Sequence, residues 1–146
     1  MKPYLDGAFL MRYLVRNAES AEAYQILRHC EGPILLNRFH RLQAENFMVR
    51  LSVSPDGSPT AAKLALREWR HLLAEGVFAL TPVPWEDVFE EAALLNANHP
   101  GLPPVPFLIL HPAIALKTEC THFLSFTPAS RAIAKRAGLT LLPERL

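Results

Sequence analysis

The sequence predicts an α/β domain in which a mainly parallel sheet is covered by helices on both faces, a three-layer α/β/α sandwich. Short apolar runs typical of buried strands alternate along the chain with longer segments of helical periodicity. Thirteen prolines and six glycines separate these segments. Because a strand, a helix and a second strand normally form a right-handed crossover, alternating segments favour parallel strands. We therefore expect residues 1–146 to form a single domain of this class.

The first half of the chain is predicted to hold two strands and four helices. Ser20 can cap the second helix, and Gly32 with Pro33 ends it. The segment from Ser54 to Pro59 is the clearest turn in the chain, and it separates the third helix from the fourth. In order, the predicted elements are strand 2–6, helices 8–17 and 20–28, strand 34–36, and helices 38–51 and 60–74.

The second half is predicted to hold three strands and three helices. Gly76 ends the preceding helix, and Pro84 suits the first turn of the next one. A proline-rich loop follows, and the helix after it is expected to run through Pro112. Gly138 caps the last helix. In order, the predicted elements are strand 77–80, helix 84–95, loop 96–106, helix 107–117, strand 122–126, helix 128–137 and strand 139–142.

Composition excludes several classes of protein. Half of the residues are apolar and a fifth are charged, which excludes an intrinsically disordered chain. The 15 basic and 14 acidic residues give a net charge of +1, so the charge of the whole chain does not point to nucleic acid or membrane. The two cysteines, Cys30 and Cys120, form neither a disulfide framework nor a zinc-ligand pattern. Since the first residues do not resemble a signal peptide, a cytoplasmic protein without a membrane anchor is expected.

The one side chain that topology singles out for chemistry is Asp6, at the end of the first predicted strand. Sites in open parallel sheets form outside the carboxyl ends of the strands. A carboxylate there can hold a metal or a phosphate-linked cation. It can also cap the helix that begins at Gly7 or Ala8, which is the role that periodicity alone favours. Both interpretations remain open on the sequence pattern alone.

Four segments in order carry a resemblance to a known family. They are Tyr4-Leu-Asp-Gly-Ala-Phe-Leu10, His40-Arg-Leu-Gln-Ala-Glu-Asn46, Leu108-Ile-Leu-His111 with Ala113 and Ala115, and Phe123-Leu-Ser-Phe126 followed by Arg131 to Leu139. Their order and spacing resemble the PIN-domain family, in particular its VapC-like toxins, over nearly the whole chain. The resemblance implies a PIN-like domain spanning residues 1–146.

PIN domains use about four acidic residues to hold Mg²⁺ or Mn²⁺, and the metal activates the water that cleaves RNA. Carried over position by position, the first acid is Asp6, whereas Gln43, Leu108 and Thr127 stand where the other three are expected. A hard dication needs convergent anionic oxygens, which this set does not supply. The resemblance therefore implies a pseudoenzyme with no metal cofactor.

The resemblance also implies partners. A protein of this kind is expected to bind RNA or an antitoxin-like protein, and to form a homodimer. Apolar residues such as Phe9, Met11, Tyr13 and Trp69 favour a dimer interface, because they exceed what one small core accommodates; the alternative is that all of them fit inside the core.

Two other functions stay open. One is an active Mg²⁺- or Mn²⁺-dependent endoribonuclease of a toxin–antitoxin pair, with Glu45 or His111 joining Asp6 as metal ligands. Glu45 is a poor substitute for Gln43, because residues two apart point about 200° away from each other on a helix. The other is a purely structural role. Two basic clusters, Arg38–Arg41 and Arg67–His71, are expected to be solvated helix faces.

Overall fold

A computed structural model describes residues 1–101 and 106–145. These residues form seven helices and five strands. In chain order they are β1 Pro3–Leu5, α1 Gly7–Leu14, α2 Ser20–Arg28, β2 Ile34–Leu36, α3 Arg38–Val53, α4 Pro59–Ala74, β3 Phe78–Leu80, α5 Trp85–Asn98, α6 Pro106–Lys117, β4 His122–Leu124, α7 Pro128–Arg136 and β5 Thr140–Leu142.

The chain divides into two compact units. We call Met1–Asp6 together with Pro82–Leu146 the terminal unit, and Gly7–Thr81 the inserted unit. Each unit is described separately, and the prediction of a single domain stays a prediction.

All strand pairs in the described residues are parallel. In the terminal unit the strand order is β1-β4-β5, and Tyr4 pairs with Phe123, which pairs with Leu141. In the inserted unit β2 pairs with β3, with Leu35 opposite Ala79. The mixed α/β class with parallel strands is therefore confirmed.

Most predicted elements are confirmed to within a few residues, and the main differences lie at helix ends. α1 ends at Leu14 instead of 17, since the Ser20 hydroxyl donates to the carbonyl of Arg12 at 2.6 Å and shapes the turn there. α5 continues to Asn98, because no glycine or proline interrupts it before Pro100. Part of the predicted loop 96–106, residues 102–105, lies outside the described residues.

The core of the inserted unit is apolar and aromatic. The ring centroid of Phe78 lies 6.0 Å from that of Trp69 and 5.7 Å from that of Tyr13. Phe9, Met11 and Trp69 are at most 8 % exposed, and Tyr13 is half-buried. Phe9, Met11 and Trp69 therefore lie inside this unit, so the expectation that they lie at a dimer interface was wrong, whereas the homodimer itself stays a prediction.

The core of the terminal unit lies around its three-stranded sheet. Phe123 and Leu124 of β4 are fully buried, as are Ile114 of α6 and Ile133 of α7. Within residues 1–101 and 106–145, no helix is long and apolar enough to cross a membrane.

Candidate functional site

Asp6 lies at the carboxyl end of β1, as the sequence predicts, and its side chain is 2 % exposed. Its backbone N–H donates to the carbonyl of Leu124 at 3.0 Å, which extends the pairing with β4 by one residue. Its carboxylate accepts a 2.5 Å hydrogen bond from the Ser125 hydroxyl. A buried carboxylate needs such a donor, since burial without one is costly. Asp6 is therefore part of the internal structure of the terminal unit.

Ser125 is the residue that sequence reasoning missed. It is fully buried, its N–H donates to the carbonyl of Leu142 at 3.0 Å, and its hydroxyl oxygen accepts from the N–H of Thr127 at 2.9 Å. Because strand 122–126 was predicted, Ser125 was expected inside the strand. β4 ends at Leu124, so Ser125 lies at the strand end beside Asp6. The sequence does contain one indication of this position, because Ser125 is a hydroxyl residue that directly follows the apolar strand residues Phe123 and Leu124.

Arg131 completes this buried polar group. Its guanidinium donates to the carbonyl of Ser125 at 2.9 Å and to that of Pro143 at 2.7 Å, and the residue is only 7 % exposed. It thereby ties the start of α7 to the segment after β5. Thr127, the predicted position of the fourth acid, is half-buried at the N-terminus of α7 and supplies a backbone donor to Ser125.

α6 carries the two other candidate residues of this unit. Leu108 is half-buried near the N-terminus of α6 and offers no ligand oxygen from its side chain. His111 is 4 % exposed, and its Nδ1 atom lies 2.7 Å from the Tyr4 hydroxyl oxygen in a hydrogen bond. Tyr4 stacks on Phe123 with ring centroids 5.8 Å apart. These contacts give His111 a packing role within the terminal unit.

Gln43 and Glu45 belong to α3 in the inserted unit. The Gln43 Oε1 atom is buried without a hydrogen-bond partner, and a Cβ atom added at Gly7 would come within 2.6 Å of it. The Gln43 amide thus fills space that a side chain at position 7 would need. Glu45 is exposed and accepts a 2.8 Å hydrogen bond from Arg41.

The residues that would have to hold a metal do not fit that task. Asp6 accepts from Ser125, Glu45 pairs with Arg41, and His111 bonds to Tyr4. In the part of the chain that is described, no group of three or more histidine, cysteine or acidic side chains is placed to hold an ion. Mg²⁺ requires near-octahedral oxygen ligands, and usually at least one or two free carboxylates. We therefore derive no chemical step through a metal.

A groove in the inserted unit is a second candidate site. It lies between the end of α1, α2 and α4 and encloses about 790 Å³. Its walls combine five apolar side chains with three basic ones and one acidic one. These are Leu14, Val15, Tyr24, Ala61 and Leu64, then Arg16, Arg67 and His71, and finally Glu68. Tyr24 and Leu64 are exposed here, although their helical spacing alone placed them on apolar, inward faces.

Tyr13 contacts the groove lining through Tyr24, with ring centroids 4.4 Å apart. Burial raises the pKa of the Tyr13 hydroxyl, and the nearby Tyr24 and Glu68 raise it further. Arg16, Arg67 and His71 form no ion pair within the described residues, whereas Glu68 is the single anionic side chain of the lining. The lining is therefore apolar with a net positive rim.

Two comparisons with known proteins found no match for this chain. A scan against protein-family models finds no matching family, and a search of curated proteins finds no match. The resemblance to PIN domains accordingly rests on the sequence motifs alone.

Proposed function

We propose that this chain is a PIN-domain-like protein without nuclease activity, related to the VapC-type toxins, which binds a segment of a partner protein. The sequence motifs support the family. The groove of the inserted unit is the observation that carries the binding function, because it combines apolar walls with cationic side chains that form no ion pair within the described residues.

Loss of catalysis is supported by the surroundings of Asp6. A metal-dependent nuclease needs carboxylates that converge on an ion and lower the pKa of its bound water. The Asp6 carboxylate accepts from Ser125 and is buried, while Gln43, Leu108 and Thr127 provide no carboxylate at the other positions.

The chemistry of the groove favours a protein partner over RNA. Leu14, Val15 and Leu64 can bury apolar side chains, as grooves that receive an amphipathic helix do. Arg16 and Arg67 at the rim can pair with acidic residues of such a segment. An RNA strand would need a longer track of cations, and Glu68 would repel its phosphates. The partner segment is therefore an acidic amphipathic one, as an antitoxin-like protein could supply.

The catalytic half of the proposal is tested by incubating the purified protein with single-stranded RNA and millimolar Mn²⁺. We expect the RNA to stay intact with the wild-type protein and with Asp6→Asn alike. Cleavage by the wild-type protein that disappears in Asp6→Asn would restore the alternative, an active endoribonuclease.

The binding half is tested with a fluorescent synthetic helical peptide that carries leucines on one face and glutamates on the other. We expect binding that Leu64→Asp weakens at least tenfold, since it places a charge in the groove wall. Leu64 is 59 % exposed, so this change leaves folding intact. Val77→Asp, at an exposed residue outside the groove lining, is the matched control. Failure of the peptide to bind, or preferential binding of a single-stranded RNA oligonucleotide that Leu64→Asp abolishes, would contradict a protein partner.

A further inference from the structure

Glu68 is the charged side chain that lies deepest in the groove of the inserted unit. It is half-buried, whereas the three basic side chains of the same lining are exposed, namely Arg16, Arg67 and His71. Leu72, four residues further along α4, is buried. Because residues four apart share one side of a helix, Glu68 borders the side of α4 that packs into the core. The groove therefore has a carboxylate on its inner wall and cations at its rim.

Two tyrosines adjoin this carboxylate. Burial, Tyr24 and Glu68, in that order, raise the pKa of the Tyr13 hydroxyl, so the Glu68 carboxylate lies close enough to act on it. The ring of Tyr24 lines the groove, is 37 % exposed and has its centroid 4.4 Å from that of Tyr13. Tyrosine rings attract cations over their faces, and phenol oxygens accept hydrogen bonds. We call Glu68, Tyr13 and Tyr24 the Glu68 subsite.

The Glu68 carboxylate lacks a cation of its own. It forms no ion pair within residues 1–101 and 106–145, although Arg16, Arg67 and His71 line the same groove. A carboxylate that is partly removed from water is stabilised by an opposite charge that donates hydrogen bonds to it. Since the described residues do not supply this charge, the Glu68 subsite is suited to a cation of the ligand.

We propose that Glu68 binds a basic side chain, a lysine or an arginine, of the partner segment that the groove receives. This inference rests on the proposed function of the groove and adds a charge pattern to it. Acidic residues of the segment pair with Arg16 and Arg67 at the rim, and one cation on its apolar side reaches Glu68. The aliphatic stem of that side chain packs against the apolar walls and the Tyr24 ring, while its charged end donates hydrogen bonds to the carboxylate.

The Glu68 subsite thereby selects among acidic amphipathic segments. An acidic residue opposite Glu68 would bring two carboxylates together, which is repulsive. A leucine there would take water from the Glu68 carboxylate without replacing its hydrogen bonds. A lysine or an arginine avoids both costs, so its presence distinguishes the matching segment from other segments with the same apolar spacing.

Lysine and norleucine scans test the proposal, using the helical peptide with leucines on one face and glutamates on the other. In each variant peptide one leucine is replaced either by lysine or by norleucine, which has the same unbranched chain without the ammonium group. Fluorescence anisotropy measures binding. With the wild-type protein we expect at least one position at which the lysine peptide binds about tenfold more tightly than its norleucine counterpart. In Glu68→Gln, which keeps the size of the side chain and removes its charge, this ratio should fall to about twofold or less.

Glu75→Gln is the matched control. It removes the same charge from an exposed residue at the end of α4 that does not line the groove. This variant should keep the wild-type ratio of lysine to norleucine binding. The lysine-free parent peptide should bind Glu68→Gln at least as tightly as it binds the wild-type protein, because no carboxylate is then left without a partner. Circular dichroism establishes that both variants are folded.

Failure of the proposed function and failure of this inference give different results. If neither the parent peptide nor any lysine peptide binds, both are overturned. If the parent peptide binds and Leu64→Asp weakens it, but no lysine peptide binds more tightly than its norleucine counterpart, only the role of Glu68 is overturned. A preference for lysine that persists in Glu68→Gln, or that Glu75→Gln abolishes equally, would also overturn that role alone.

Discussion

The terminal unit buries charged side chains in its interior, whereas the polar side chains buried in the inserted unit, Ser20, Asn37 and His40, lie at the starts of helices. Asp6, Ser125 and Arg131 form a buried hydrogen-bonded group at the strand ends of the terminal unit. In the inserted unit, Asn37 caps α3 by accepting from the N–H groups of Phe39 and His40. Polar residues therefore fix strand ends in one unit and helix starts in the other.

This difference bears on function. A buried side chain whose hydrogen bonds are made inside the protein is not available to bind a substrate, and this describes Asp6 and Ser125. In the inserted unit Arg16, Arg67 and His71 remain at the surface beside an apolar groove. The carboxylate that the family resemblance marks as catalytic is thus buried and hydrogen-bonded inside the terminal unit, and the groove for which we propose a binding function belongs to the inserted unit.

The largest effect is expected from breaking the aromatic core of the inserted unit. Phe78→Ala removes a side chain that is 1 % exposed and contacts the rings of Trp69 and Tyr13. The free energy of unfolding should fall by about 4 kcal/mol, as for other buried aromatic truncations. Urea denaturation measures the change. Val77→Ala, at the exposed neighbouring residue, should change it by less than about 0.5 kcal/mol.

The next effect concerns the buried guanidinium of the terminal unit. Arg131→Met keeps most of the apolar volume but leaves the carbonyls of Ser125 and Pro143 without this donor. Unsatisfied buried groups of this kind should cost about 3 kcal/mol of unfolding free energy. Arg136→Met, at an exposed position on the same helix, serves as the control. Equal stability of the two variants would show that Arg131 does not hold the segment after β5.

A smaller effect is expected at Ser125. Ser125→Ala removes the donor to Asp6 and the acceptor for the N–H of Thr127. We expect a loss of about 2 kcal/mol, because both groups lose a partner inside the protein. Ser52→Ala removes a hydroxyl whose bond to the Val49 carbonyl is exposed, and it should be nearly neutral. If Ser125→Ala were equally neutral, Asp6 would not depend on this hydroxyl.

The smallest perturbation uses the two thiols as reporters, since each unit contains one of them. Burial raises the pKa of Cys120 above its ordinary value of 9.0, and burial likewise raises that of Cys30. A raised pKa means that the folded protein retains the proton, so this contribution to stability is present below pH 9.0 and is lost as the pH rises through the folded-state pKa.

Iodoacetamide labelling at pH 8 should modify half-buried Cys30 faster than buried Cys120, because alkylation needs an accessible thiolate. In the Cys30→Ser variant, the rate of Cys120 labelling should rise with urea concentration over the range in which the protein unfolds. Rapid labelling of Cys120 in the folded protein would contradict the burial of this thiol in the terminal unit.

Local sequence patterns predicted the elements because strand and helix periodicity depends only on near neighbours. The helix over 60–74 was predicted from its apolar spacing and lies at Pro59–Ala74. Asp6 was correctly expected at a strand end, because alternating strands and helices bring carboxyl ends to one edge. The identity of its partner was not predictable, since Ser125 lies 119 residues further along the chain.

By itself, the sequence determined the α/β class and the order of the elements, because these are properties of residue type and spacing. Only the tertiary structure decided that Phe9, Met11 and Trp69 lie in the core while Leu42 and Phe89 stay exposed. Amino-acid composition gives the number of apolar residues but not which faces of helices and strands pack against each other. Burial depends on packing between elements distant in the chain, and so does the groove of the inserted unit.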